Sequence, residues 1–272
     1  MTINSYDSIL AALSQGKGQE IIFDKTFTTA AIARGFSTWA LGTYPALGGV
    51  GTSLVMRGCT PTTAGALAFV NPVSLTDDLY LLSINARSSI ASHGTLILYD
   101  RVADIGGIPL SASATNLVTS ITLPRYSTGA GVQMFMELST TVGGAPTFFV
   151  TYTDQSGNAG AVSATMICTT NAATNLAYSG PVYIPLAAGD SGVRAVTSVT
   201  VVGGSAGVGT LVLAKPLCSI PLLAANQVIE RDLVTQTPKF PVLPDDHCLA
   251  FLLFSGTTSL GTIQGSLVAV AG

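Results

Sequence analysis

The run Val132-Gln133-Met134-Phe135-Met136-Glu137-Leu138-Ser139 is followed, after the link Val142-Gly143-Gly144-Ala145-Pro146, by Thr147-Phe148-Phe149-Val150-Thr151-Tyr152-Thr153. Successive side chains of an extended strand point to opposite faces, so alternation of apolar and polar residues marks a half-buried strand. Val132, Met134, Met136 and Leu138 share one face, and Gln133, Glu137 and Ser139 share the other, with Phe135 an apolar exception. Phe148, Val150 and Tyr152 alternate with Thr147, Thr151 and Thr153 in the same way. The glycine-bearing link suits a hairpin, and the two runs are expected to pair antiparallel.

Working outward, the same period predicts strands at residues 79–85, 95–101, 120–123, 162–169, 182–186, 195–202, 210–217, 248–254 and 263–270. Turn signals separate them at Asp154-Gln155-Ser156-Gly157-Asn158, Asp190-Ser191-Gly192 and Gly203-Gly204. Many short strands with glycine-rich turns and no intervening helices predict an all-β protein, an antiparallel β-sandwich or jelly roll. Residues 229–246 gather Glu230, Arg231, Asp232, Lys239, Asp245 and Asp246 with Pro238, Pro241 and Pro244, and read as a surface crossing between sheets.

The N-terminal part differs. Tyr6, Ile9, Leu10 and Leu13 recur at helical spacing, Ser5 can cap the start and Gly16 can end it, so a short helix that docks on the rest is expected. Residues 19–61 carry Phe23, Phe27, Phe36, Trp39 and Tyr44 between glycines and prolines, and read as an extended arm with short strands near 20–23 and 36–41. The expected division is therefore 1–61, a helix and extended arm, and 62–272, the sandwich. Such an arm either folds back as a layer or reaches out to a neighbour. The outreaching form is preferred here, which makes Phe23, Phe27, Phe36, Trp39 and Tyr44 candidate interface residues, because aromatic side chains anchor interfaces.

Composition narrows the function. The chain has 272 residues, 11 basic and 14 acidic side chains and a formal charge of −3. Only 9% of its residues are charged, against about 25% in ordinary domains. Hydrophobic residues make up 48% and the mean hydropathy is +0.54. High hydrophobicity excludes intrinsic disorder, and the lack of a basic excess excludes an ordinary nucleic-acid binder. Residues 195–214 and 248–272 are uncharged and long enough to cross a bilayer, but glycines break both into pairs of strands, so no membrane association is expected. The first residues carry no basic, apolar leader pattern. Cys59, Cys168, Cys218 and Cys248 form no CxxC pair and are expected as free thiols in a core folded in a reducing cytoplasm.

The search for chemistry returns little. Gly203-Gly204-Ser205-Ala206-Gly207 fits a nucleophile elbow, but such an elbow needs a helix after the serine, and Val208-Gly209-Thr210-Leu211-Val212 is strand-like. His93 sits in a turn context. Asp245-Asp246-His247-Cys248 cannot converge on one metal ion from an extended chain, and is expected as a solvated turn leading into a buried strand. Asp77-Asp78 is expected to start the strand at 79–85 rather than to act as an acid pair. No catalytic residue, cofactor or metal site is predicted.

So few charges over so much surface point to a chain covered by neighbours, because interface cores are depleted in charge. Several stretches also resemble structural proteins of tailed-bacteriophage particles, in particular capsid decoration or cement proteins. They are Leu123-Pro124-Arg125-Tyr126 with 131–141, residues 150–160, residues 184–194, and Glu230-Arg231-Asp232-Leu233 running into Cys248-Leu249-Ala250-Phe251-Leu252-Leu253-Phe254. The resemblance implies a virion component assembled in the bacterial cytoplasm. Its implied partners are the major capsid protein, other virion proteins and further copies of itself as a homo-oligomer. A tail, baseplate or spike subunit and a carbohydrate- or receptor-binding β module are the alternatives, and a hydrolase using Ser205 ranks last.

Overall fold

The computed structural model describes residues 3–27, 35–72, 77–140, 142–168, 182–204, 206–236, 241–259 and 261–272, and they form three antiparallel sheets. The first, five-stranded, orders β1 (Gly18–Thr26), β17 (Thr262–Ala271), β4 (Leu79–Ser88) and β14 (Ile229–Asp232), with β15 (Val242–Leu243) also on β4. The second, seven-stranded, orders β11 (Val182–Ile184), β7 (Gln133–Leu138), β13 (Val208–Leu222), β5 (Gly94–Pro109), β16 (Leu249–Ser255) and β2 (Gly35–Ser37), with β3 (Arg57–Gly58) on β5. The third, five-stranded, orders β10 (Met166–Ile167), β8 (Thr147–Asp154), β12 (Val193–Gly203) and β6 (Ala114–Leu117), with β9 (Ala159–Val162) on β8. The all-β sandwich expected from the period-two runs is what the chain forms.

The long pair β5 and β13 is the spine. At one end, Leu96 and Leu98 of β5 with Ile220 and Leu222 of β13 pack against Leu81, Ile84 and Leu267 of the first sheet. At the other, Ile105 of β5 with Leu211 and Leu213 of β13 pack against Phe148, Val150, Val196 and Val199 of the third. One long sheet thus backs two sandwiches laid end to end. A third cluster, around Trp39, Tyr99, Val212 and Ala250, lies on the opposite face of the seven-stranded sheet.

The hairpin expected between the two opening runs does not form. β7 pairs with β13 and β11, while β8 pairs with β12, β10 and β9, so the link at 139–146 crosses from one sheet to another. Phe135 is the clue that the alternation concealed. It and Glu137 are buried as fully as Met134 and Met136, because β7 is covered on both faces, whereas β8 keeps a clean alternation. Gly203-Gly204 likewise leads from β12 in the third sheet to β13 in the second. The strand expected at 120–123 is replaced by irregular chain. There the Ser120 hydroxyl accepts from the Val196 N–H at 3.1 Å and donates to the Val196 carbonyl at 2.8 Å, standing in for a ladder.

The helix α1 (Tyr6–Ser14) starts where Ser5 predicts. The Ser5 hydroxyl accepts from the Ser8 N–H, and the Ser8 hydroxyl accepts from the Ser5 N–H, a capping box. It docks on Tyr80, Leu82 and Val270 through Ile9 and Ala12, with Ser8 also buried, leaving Tyr6, Leu10 and Leu13 largely in solvent. Small side chains allow close approach, so the docked face is displaced from the apolar stripe.

Residues 19–61, where described, lie against the chain's own sheets rather than projecting. β1 pairs with β17 along its whole length, from Gly18 opposite Val270 to Thr26 opposite Thr262. Buried Lys25 donates through Nζ to the carbonyls of Leu41 and Pro45, both at 2.7 Å, and ties that loop back to β1. A chain starting at Thr62 is therefore expected to lose cooperative thermal unfolding, because it lacks an entire sheet edge. Calorimetry checks this, and a sharp transition retained by the truncated chain would show that the segment is dispensable.

Candidate functional site

The densest chemistry in the molecule is a network of charges inside the seven-stranded sheet. Arg101 is fully buried. Its two terminal nitrogens donate to Glu137 Oε1 and Oε2 at 3.1 and 3.0 Å, and Nε and Nη2 donate to Asp104 Oδ2 at 3.3 and 3.1 Å. Arg57 adds a second fork, Nε to Asp104 Oδ1 at 3.0 Å and Nη2 to Oδ2 at 2.6 Å. The Trp39 ring lies 4.5 Å from the Arg101 guanidinium carbon, a cation–π contact. Burial works against the Arg101 charge, but Glu137 and Asp104 hold its pKa well above the ordinary range.

A neighbouring cluster extends the network. Arg125 donates from Nε to Asp100 Oδ2 at 2.7 Å and from Nη1 to the Cys59 carbonyl at 2.6 Å, and Nη2 donates to the Arg101 carbonyl. Asp100 also accepts from the Cys248 N–H at 2.8 Å and the Tyr126 hydroxyl at 3.1 Å. Three arginines face Asp100, Asp104 and Glu137, which balance them, and half-buried Asp246 lies 3.7 Å from Arg125 Nη1. Each of those six is bonded to another, and all but Arg57, whose side chain is 39% exposed, are shut away from water, so none of the six is an unengaged acid or base. Chemically this arrangement fixes strands in register.

Sequence reasoning missed these residues. On an ideal strand Arg101 and Asp104, three apart, point to opposite faces. The β5–β13 register jumps from Ala103 opposite Leu213 to Arg101 opposite Ala214, so Val102 is an extra residue that reverses the parity and turns both side chains to one side. The available signal was Asp100, Arg101 and Asp104 standing inside the apolar run 96–110.

The five aromatics proposed for an interface divide unequally. Phe23 packs 4.4 Å from Phe251 between ring centroids, and Phe27 meets Phe36 edge-on at 6.3 Å. Trp39 is 1% exposed and donates from Nε1 to the Gly49 carbonyl at 3.0 Å. A Cβ on Gly48 would stand 2.4 Å from its ring, so that position requires glycine. Tyr44, by contrast, is 53% exposed. The preference for an outreaching arm is thus corrected for Phe23, Phe27, Phe36 and Trp39: their own chain's core gives them burial that a neighbour was expected to supply.

Both histidines follow two-residue turns just before a strand, as expected, and both are buried. His247 Nε2 accepts from the Phe69 N–H at 2.9 Å and Nδ1–H donates to the Pro244 carbonyl at 2.8 Å, so the ring is neutral and joins two segments. His93 Nδ1 lies 2.8 Å from the Ser88 hydroxyl, and burial pushes its pKa down to about 4. Asp77 pairs with Lys17 at 2.7 Å just before β4, as a strand start rather than an acid pair. Ser205 lies outside the described residues, and the segment after it enters a strand rather than a helix. All four cysteines are buried free thiols. Among the described residues no group of three His, Cys, Asp or Glu side chains is placed to hold a metal, and no helix is long and apolar enough to cross a membrane.

No protein-family model matches the chain, and no curated protein matches it. Among solved structures it is similar to the infectious bursal disease virus VP2 subviral particle, at 10% identity over 93% of this chain and 80% of that one, with a TM-score of 0.21. It is also similar to the Gx strain of the same virus, at 12% identity over 94% and 80%, with a TM-score of 0.19. Likeness at that level carries no argument, so function is read from this chain's own residues.

Two outcomes are expected of the site. Arg101→Met strands Glu137 without its partner and should cost about 3–5 kcal/mol of stability in urea unfolding. Arg101→Met combined with Glu137→Leu should recover most of that loss, because no unpaired charge remains. His93 takes up its proton in the unfolded chain near pH 6.5 but in the folded chain only near pH 4. Its contribution is therefore complete above pH 6.5 and is lost as the pH falls toward 4, by roughly 2–3 kcal/mol. Urea midpoints at pH 7 and 4.5 should diverge for the natural protein and converge partly for His93→Gln.

Proposed function

We propose that this chain is a structural component of a tailed-bacteriophage particle, a capsid-associated decoration or cement protein that stabilises the shell through protein–protein contacts. One observation carries the reading. Five of the few charges, Arg101, Arg125, Asp100, Asp104 and Glu137, are buried in the Arg101 network, while large apolar side chains, among them Tyr6, Leu10, Leu13 and Ile22, stand in solvent. A surface poor in charge and dotted with apolar anchors has the composition of an interface core. The sequence stretches that resemble phage structural proteins support the same assignment. The partners are the major capsid protein or other virion proteins, and copies of this chain. The protein acts without catalysis, cofactor, nucleic acid or membrane, and resides in the virion after assembly in the host cytoplasm. Tyr44, the exposed member of the five aromatics, is proposed as a contact residue.

The test is addition of purified protein to particles that lack it, followed by sedimentation and imaging. Density on the capsid exterior is expected, and Leu10→Ser with Tyr44→Ala should weaken attachment by more than about 1 kcal/mol without moving the melting temperature. Density on the tail or baseplate, or a protein that never sediments with particles, would overturn the decoration role.

A further inference from the structure

Cys59 and Cys248 meet where the edge of β5 away from β13 changes partner. β16 lines that edge up to Asp100, and β3 lines it at Ala103 and Asp104. At the junction the Arg101 N–H donates to the Cys248 carbonyl at 2.8 Å, and the Cys59 N–H donates to the Val102 carbonyl at 3.0 Å. Two segments from distant parts of the sequence are therefore hung on consecutive residues of one strand, from the same side. Both side chains enter the same apolar cluster, with Trp39, Tyr99, Val212 and Ala214. Anchors on consecutive residues of one edge place the two cysteines side by side, and a disulfide needs such neighbouring Cα positions. Cys168 and Cys218 belong to two other clusters.

From this placement we propose that Cys59 and Cys248 are a dithiol that closes to a disulfide when the protein meets a low-molecular-weight disulfide such as oxidised glutathione. The electrostatics favour one order of events. The Cys59 thiol donates to Asp104 Oδ2 at 3.8 Å, the nearby Cys248 thiol with Arg101 and Arg57 holds Cys59 below its usual range, and the closeness of Cys59 together with burial pushes Cys248 up. Cys59 is the attacking thiolate. It displaces one glutathione thiolate from the oxidised dimer and is left as a mixed disulfide. Cys248 then gives up its proton, attacks the Cys59 sulfur and releases the second glutathione. Two protein thiols lose two electrons and two protons, and one small disulfide becomes two thiols. Both thiols are fully buried, so access requires local opening of the turn at Asp245-Asp246, together with buried His247, and of half-buried Thr60 and Pro61. The bridge would close a loop over most of the sequence.

The experiment treats the full-length protein with oxidised glutathione in two arms, native and during refolding from urea. Each sample is then denatured, alkylated and mapped by mass spectrometry. The expected product is about 2 Da lighter, as befits two lost hydrogens. It has two alkylatable thiols in place of four, a Cys59–Cys248 peptide and full reversal by dithiothreitol. Its melting temperature should rise by roughly 5–10 °C. Cys59→Ser should abolish the bridge while leaving Cys168 and Cys218 free. Four alkylatable thiols in both arms, or a bridge through Cys168 or Cys218, would overturn the proposal.

Discussion

The extra residue at Val102 sets the parity of β5, and most of the interior follows from that parity. Before it, Leu96 and Leu98 face the first sheet; after it, Ala103 and Ile105 face the third. On the other side the shift gathers Arg101 and Asp104 under Trp39, opposite Glu137 of β7. A strand of strict alternation would point one of those two charges into an apolar core. There an unpaired ion costs several kcal/mol even after the protein relaxes around it. The bulge, the neutral charge network and the tryptophan cover are thus one solution to one geometric problem. They also fix where β3 and β16 share an edge, since a one-residue slip of either would exchange its buried and exposed faces.

Burying charge in this way is an uncertain source of stability, because desolvation offsets much of the attraction. What the network supplies is register. Arg125 reaches from an irregular segment to Asp100, to the Cys59 carbonyl and to the Arg101 carbonyl, and so pins β3, β5 and the start of β16 together. His247 does the same for residues 67–69 with a neutral ring. The outer surface, in turn, keeps only scattered charges such as Glu20, Arg87, Arg194 and Glu230 among hydroxyls, backbone and apolar side chains.

Strands were legible wherever one face is wet. β8, with its threonines outward, and β4 after Asp77-Asp78 appear close to where the period places them. Pairing was not legible. A glycine-rich link reads alike whether the chain turns back on itself or passes to a second sheet, and the burial of Phe135 and Glu137 alone distinguishes the two cases for β7. The aromatics of residues 19–61 failed for a related reason: spacing tells that Phe23 and Trp39 must be buried, not which surface buries them. The charge network was hidden because its members are separate in sequence and only the bulge brings them together.

The zipper between β1 and β17 has a consequence for biosynthesis. Residues 18–26 leave the ribosome early, yet the strand that completes their hydrogen bonds is residues 262–271, after every other described strand. Until then Phe23 lacks much of its packing, and an unpaired edge is open to any passing chain. Topologies dominated by such distant pairings fold slowly and stay exposed to aggregation while they wait. High yields of this protein should therefore depend on slow synthesis, low temperature or chaperone cover more than on the stability of the finished sandwich.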